Sequence, residues 1–474
     1  MSESSRTFAV FAFEEGSNPL GNSDVCLYLW RYLKEIHSET VIEEHGYIDK
    51  DYLVDFANYY ARSFECVDKF TTRYHFFSFG FNEAEFVNAI EESNVAFIKK
   101  LQDGYLGFVV VKPIERIINS VSHKIIGKTL LATYPFDVES GEKRKYLTQT
   151  YTASLFGIDL RIESLPFQMQ DPAVGACATI ACWITQFPLK HLFGTPVFSP
   201  YEVTLKSSFF PTDSRTFPSD GLTAHQIKSF YNNTGIETEF VYIRDYVDSP
   251  HLIGDMIRGY INLGIPIIVG LDLVITEKQQ PEELGCDGSE QPVNGDIEEE
   301  VGRHYHAAII SGYRHNNGNI TELYLHDDSI GPFCRTKLRG SNSWDDLDNE
   351  WLSSRFASDN YTKVEIRQLI VPVYHKIRTS RIQIEGAYER LRSKISIDNN
   401  APTDTKAELL LFENRMFKSY LLSKQVQNKL ELLTEPMPRF IWVVRFSSNA
   451  DSVLDYVFDG TAAYIRQIGI VEYL

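Results

Sequence analysis

The stretch from Gln170 to Trp183, Gln-Asp-Pro-Ala-Val-Gly-Ala-Cys-Ala-Thr-Ile-Ala-Cys-Trp, combines a turn, a helix start and a thiol. Asp171, Pro172 and Gly175 oppose a helix before Ala176, whereas Ile180, Ile184 and Phe187 recur at helical spacing after it. Cys177 is therefore expected in the first helical turn. Unpaired backbone N–H groups and the helix dipole favour a thiolate there, so this is where a nucleophile belongs. Cys182, five residues on, is rotated roughly 140° away from Cys177. It lies deeper in an apolar helix beside Trp183, where a free cysteine ordinarily acts as a small hydrophobe.

A thiol needs a base. Gly302 to Tyr313, Gly-Arg-His-Tyr-His-Ala-Ala-Ile-Ile-Ser-Gly-Tyr, reads as a buried strand over Ala307–Ile310 with His306 at its entrance. The next strand, Leu323–Leu325, ends in His326-Asp327-Asp328 before Gly331-Pro332. If the two strands are neighbours, Asp327 can accept an imidazole N–H and fix the tautomer of His306, with Asp328 one residue from that role. The same histidines allow a metal alternative. His304, His306, His326, Asp327 and Cys334 could supply N, O and S ligands, although there is no His-Glu-x-x-His helix and no Cys-x-x-Cys pair. A satisfied structural His304 is the plainer reading.

The order Cys, His, Asp, with the cysteine on a helix and its partners on successive strands, resembles the papain-like cysteine peptidase superfamily. It looks closest to the bacteriocin-processing (double-glycine) peptidases and similar bacterial papain-fold proteins. The resemblance spans roughly residues 165 to 333, and Cys177 and His306 are close to the roughly 130 to 150 positions apart of papain-type enzymes. It implies an α+β fold: a core whose nucleophile helix packs on an antiparallel sheet, with α/β accessory regions at both ends. It further implies a glutamine whose amide, with the cysteine N–H, forms the oxyanion hole. Gln170 matches that position about one residue early, and Gln168 is the weaker candidate. The implied activity is thiol-dependent cleavage of a peptide or isopeptide bond in a protein or peptide substrate, through a thioester and without a cofactor. Transfer of the phytochelatin-synthase kind, or a catalytically inactive binding or scaffold protein, are the alternatives.

The 474 residues, 43% hydrophobic and 23% charged, suit two or three folded domains. We read 1–135 as an N-terminal mixed α/β region, 136–345 as the catalytic region and 346–474 as a C-terminal α/β region able to meet a protein partner. A formal charge of -18 argues against a broad nucleic-acid surface. Neither a secretory signal nor an apolar run of membrane-spanning length is evident, so a cytoplasmic protein is expected. Cys26, Cys66, Cys177, Cys182, Cys286 and Cys334 are sparse and unpaired in motif, as reduced thiols would be. Gly127-Lys128-Thr129 lacks the first glycine of a phosphate loop, Ser122 standing in its place.

Apolar periodicity predicts helices over Val25–Ile36, Phe81–Leu101, Leu222–Tyr231, Ser380–Ile395 and Lys406–Leu433. Strands are expected over Tyr105–Val111, Ile236–Ile243, Ile265–Leu273, Val364–Tyr374 and Phe440–Phe446. The proline-rich run 192–219 reads as an extended wall near the cleft. Glu277–Arg303, rich in acids, Gly and Pro, reads as a long loop directly before the base; facing the cleft, it would favour basic substrates.

Overall fold

Alternating and doubly buried apolar runs build the N-terminal strands β1 (Phe8–Ala12), β2 (Thr40–Tyr47), β3 (Thr71–Phe77), β4 (Tyr105–Ile118) and β5 (Val121–Leu131), paired antiparallel in chain order. The computed structural model describes residues 7–14, 17–64, 66–118, 121–135, 143–213, 215–279, 297–316, 319–340, 343–353, 361–397, 406–448 and 451–474. Helices α1 (Asp24–Glu35), α2 (Lys50–Asn58), α3 (Glu83–Glu91) and α4 (Val95–Asp103) connect the strands. The single helix expected over Phe81–Leu101 is two. Ser93 takes a φ of 53°, and Asn94 starts α4 by accepting the Phe97 N–H, which favours a break over continuation.

Strand β6 (Lys143–Tyr146) leads into the hairpin β7 (Gln149–Leu155) and β8 (Ile158–Ser164). The hairpin's Leu155, Ile158 and Leu160 pack with Ile42, Phe77 and Phe86 of the N-terminal sheet. Then come α5 (Cys177–Phe193), α6 (Pro200–Ser207), α7 (Ala224–Asn232), β9 (Ile236–Tyr242) and α8 (His251–Leu263). The predicted extended wall thus holds one short helix, α6, because Ser199 and Glu202 form a reciprocal cap around Pro200.

The central sheet follows with β10 (Ile267–Gln279), β11 (Ile297–Asn316), β12 (Asn319–Asp327), β13 (Gly331–Leu338), β14 (Leu347–Asp348) and β15 (Lys363–Tyr374). Its order is β14-β13-β12-β11-β10-β15-β9, all antiparallel, with β6 beside β11 where β10 has ended. Helix α5 packs on β10 and β11. Two features correct the expected layout. The acidic run 277–303 is not all loop, since the β10–β11 ladder continues through Glu277↔Glu299 to Gln279↔Ile297. Residues 280–296, with Cys286, lie outside those described. Strand β15, read as part of the C-terminal region, sits between β10 and β9, so the central sheet reaches well past residue 345.

Helix α9 (Arg381–Ile397) precedes β16 (Lys406–Glu413), α10 (Asn414–Leu422), α11 (Lys429–Thr434), β17 (Phe440–Ser448), β18 (Asp451–Asp459) and β19 (Gln467–Glu472), whose strands form a four-stranded sheet. The long helix predicted over Lys406–Leu433 is therefore a strand at its start and two short helices after it, broken between Leu422 and Lys429 where Val426 bridges Tyr473. Its leucines favour a helix, but Leu409 and Leu411 alternate into the core as β16 pairs with β17, and tertiary packing overrides propensity. Among the described residues, no helix is long and apolar enough to cross a membrane.

Candidate active site

Cys177 is the first residue of α5, and its cap, Ala176, has no side-chain acceptor for the first-turn N–H groups. The turn before it is closed by the Asp171 N–H donating to the Gly175 carbonyl at 2.9 Å. Gly175 sits in a tight corner: a Cβ there would lie 3.0 Å from Ile180 Cδ1 and 3.4 Å from Pro200 Cβ, so the Ile180 side chain would have to shift by a few tenths of an ångström. Asp171 organises the turn from within, its Oδ1 accepting from the N–H groups of Ala173 (2.9 Å) and Val174 (3.2 Å) and from the Tyr60 hydroxyl.

His306 stands on β11, and its Nε2 meets Asp327 Oδ1 at 2.9 Å, which leaves Nδ1 for the thiol. Neighbouring strands make this possible, because β11 and β12 pair with Ile309 opposite His326. Asp327 is fully buried and satisfied on both oxygens: Ser329 N–H donates to Oδ1 at 3.0 Å and Trp351 Nε1 to Oδ2 at 2.9 Å. The Trp351 indole also lies edge-on to the imidazole, centroids 5.0 Å apart. Burial would depress the protonation of His306, but the Asp327 carboxylate, its hydrogen bond and the Cys177 thiol outweigh it and raise the imidazole well above its ordinary range. Asp327 moves the opposite way: burial would raise it, while His306 and the donors around it hold it below the usual carboxylate range. Asp328 is buried, with Oδ1 3.6 Å from His306 Nε2 and neither oxygen hydrogen-bonded. Burial, reinforced by the Asp327 charge, pushes it up to about 7.

Cys177 and His306 line one cleft of about 370 Å³, with Asp220, Gly221, Gly270 and Gln368 among its walls. Cys177 is partly accessible, whereas Cys182 is fully buried and burial pushes its thiol up to about 12. Gln170 lies beside the carboxylate arm of the site, its amide donating weakly to Ser329 Oγ at 3.4 Å. Gln168 is buried with an Nε2 that has no hydrogen-bond partner.

The metal-ligand set read from the sequence is not gathered. His304 is exposed and engages the Tyr361 hydroxyl at 2.7 Å. His326 spends both nitrogens on backbone, the Leu165 carbonyl and the Phe333 N–H, and burial pushes it down to about 3. Cys334 is buried. His306, Asp327 and Asp328 do offer donor atoms within 4.8 Å of one another, the hydrogen-bonded cluster already described.

Sequence reasoning missed Trp351 and the partners of Asp171. Trp351 stands 45 positions beyond His306, without a spacing signal to connect the two. No protein-family model matches the chain, and no curated protein is significantly similar to it.

Proposed function

We propose that this protein is a thiol-dependent hydrolase that cleaves a peptide or isopeptide bond in a protein or peptide substrate. The observation that carries this reading is the cleft shared by the Cys177 thiol and the His306 imidazole, with a buried carboxylate holding the far ring nitrogen. A helix-borne thiol facing a strand-borne imidazole on an antiparallel sheet also supports the papain-like resemblance.

In the proposed reaction His306 accepts the Cys177 proton, and the thiolate attacks the scissile carbonyl carbon. The resulting oxyanion is held by the Cys177 N–H and the Gln170 amide, which must swing from Ser329 to do so. Collapse breaks the carbon–nitrogen bond as His306 returns its proton to the leaving amine. A water molecule, deprotonated by His306, then attacks the thioester, releasing the acid and restoring the thiol. Asp327 stays ionised throughout and fixes the ring.

Timed alkylation by iodoacetamide with peptide mass spectrometry tests the nucleophile without a known substrate. At neutral pH Cys177 should react at least about 10-fold faster than the exposed Cys66. His306→Ala should remove that advantage. Equal rates at the two thiols, or an advantage untouched by His306→Ala, would overturn the reading.

A further inference from the structure

A buried ion pair from the N-terminal sheet ends on the turn that delivers the nucleophile. Lys112 Nζ, on β4, lies 3.4 Å from Asp171 Oδ2, their side chains 2% and 0% exposed. Tyr60, from the short helical turn after α2, donates its hydroxyl to Asp171 Oδ1. The same corner ties in α2 through Asp55, whose Oδ1 accepts the Tyr201 N–H at 3.0 Å and which burial pushes up to about 8. Thr204 of α6 donates to the Val174 carbonyl at 2.8 Å.

An uncharged asparagine at 171 could accept the turn's own N–H bonds, so the ion pair is not needed to form the turn. Burying two charges is costly, and such pairs are seldom a net gain in stability over apolar residues of the same volume. What the pair adds is registry between β4 and the segment carrying Gln170 on one side of Asp171 and Cys177 on the other. We infer that Lys112 and Tyr60 are positioning residues for the catalytic thiol: through Asp171 they fix the start of α5, and so the line from Cys177 Sγ to the His306 ring, making the N-terminal region part of the catalytic unit. The inference rests on the thiol-hydrolase reading given above.

The test uses the full chain and two variants. Tyr60→Phe removes one donor to Asp171, and the pair Asp171→Asn with Lys112→Met removes both charges together while keeping an oxygen for the turn's N–H groups. Iodoacetamide rates at Cys177 are measured from pH 5 to 9, with Cys66 in the same sample as reference and urea unfolding recorded alongside. Each variant should lower the Cys177 rate on the order of 10-fold at neutral pH and raise the pH at which alkylation is half-maximal. Urea midpoints should stay close to that of the unaltered protein. Unchanged rate and pH midpoint in the variants would overturn the inference, whatever happens to stability. Should the paired variant fail to fold, Tyr60→Phe alone decides by the same criterion. If Cys177 has no advantage over Cys66 in the unaltered protein, the hydrolase reading itself falls, a result distinct from a variant that alkylates normally.

Discussion

His306 and its two carboxylate neighbours carry opposite consequences for pH. His306 is raised and Asp327 lowered, so their attraction stabilises the fold fully between the unfolded values of 3.8 and 6.5. It is lost as pH rises through the elevated histidine value, and as pH falls through the depressed aspartate value. The destabilisation caused by His306→Gln should therefore be largest near pH 5 to 6 and shrink towards alkaline pH, read as the difference in Tm across a pH series. Asp328 has the other sign. Its carboxyl releases a proton later in the folded than in the unfolded chain, so stability falls as pH climbs from 3.8 to about 7. Asp328→Asn should leave Tm near pH 4 unchanged and raise it by a few °C at pH 8. A Tm gain equal at both pH values would show that the carboxyl is not ionised late. Trp351→Phe keeps an aromatic ring against His306 but removes the N–H on Asp327 Oδ2. Losing that charge-assisted donor should slow Cys177 alkylation several-fold with little change in fold, as followed by circular dichroism.

At the level of elements, the turn between β12 and β13 sets where Asp327 ends up. Asp327 pairs with Gly331, and Ser329 between them donates to the carboxylate. Helix α1 presses on this turn from outside, the Tyr28 hydroxyl donating to the Pro332 carbonyl at 3.0 Å. A Cβ on Gly331 would lie 2.1 Å from Tyr28 Cδ1, closer than any relaxed contact. Gly331→Ala should thus destabilise by about 1 to 3 kcal/mol through overpacking, measured by urea unfolding. In a Tyr28→Ala background, where the clash is gone, Gly331→Ala should cost less than it does in the unaltered protein if the contact rather than the glycine backbone is the cause.

Across the whole molecule, the regions drawn from the sequence share one hydrophobic core. The N-terminal region touches both arms of the site, Asp171 through Lys112 and Tyr60, and the Asp327 turn through Tyr28. From the other end, β15 fills the gap between β10 and β9, pairing Leu271 with Ile366 and Ile370 with Phe240. A fragment cut at residues 136 and 345 would lose that strand, exposing an unpaired edge of β10 and detaching β9. Such a fragment should be insoluble or lack cooperative unfolding, whereas the full chain, with β15 in place and Leu409, Leu411 and Trp442 completing the shared core, should show one sharp transition. Cooperative unfolding of the 136–345 fragment would contradict this.

Local signals were enough to place the elements that carry much of the candidate site. Asp171-Pro172 and Gly175 announce a turn, helical spacing after Ala176 announces α5, and the apolar run after His306 announces β11, because backbone preference and burial periodicity act within a few residues. These cues also anticipated Cys177 at the helix start and Cys182 buried along it. They could not reveal that Trp351 caps Asp327, that Lys112 reaches Asp171, or that Lys406–Glu413 is a strand, since each depends on partners 24, 59 or about 35 residues away. Helix starts and buried strands are written in short-range chemistry; which strand lies beside which, and which buried charge finds its counter-charge, is decided only when distant segments compete for the same core.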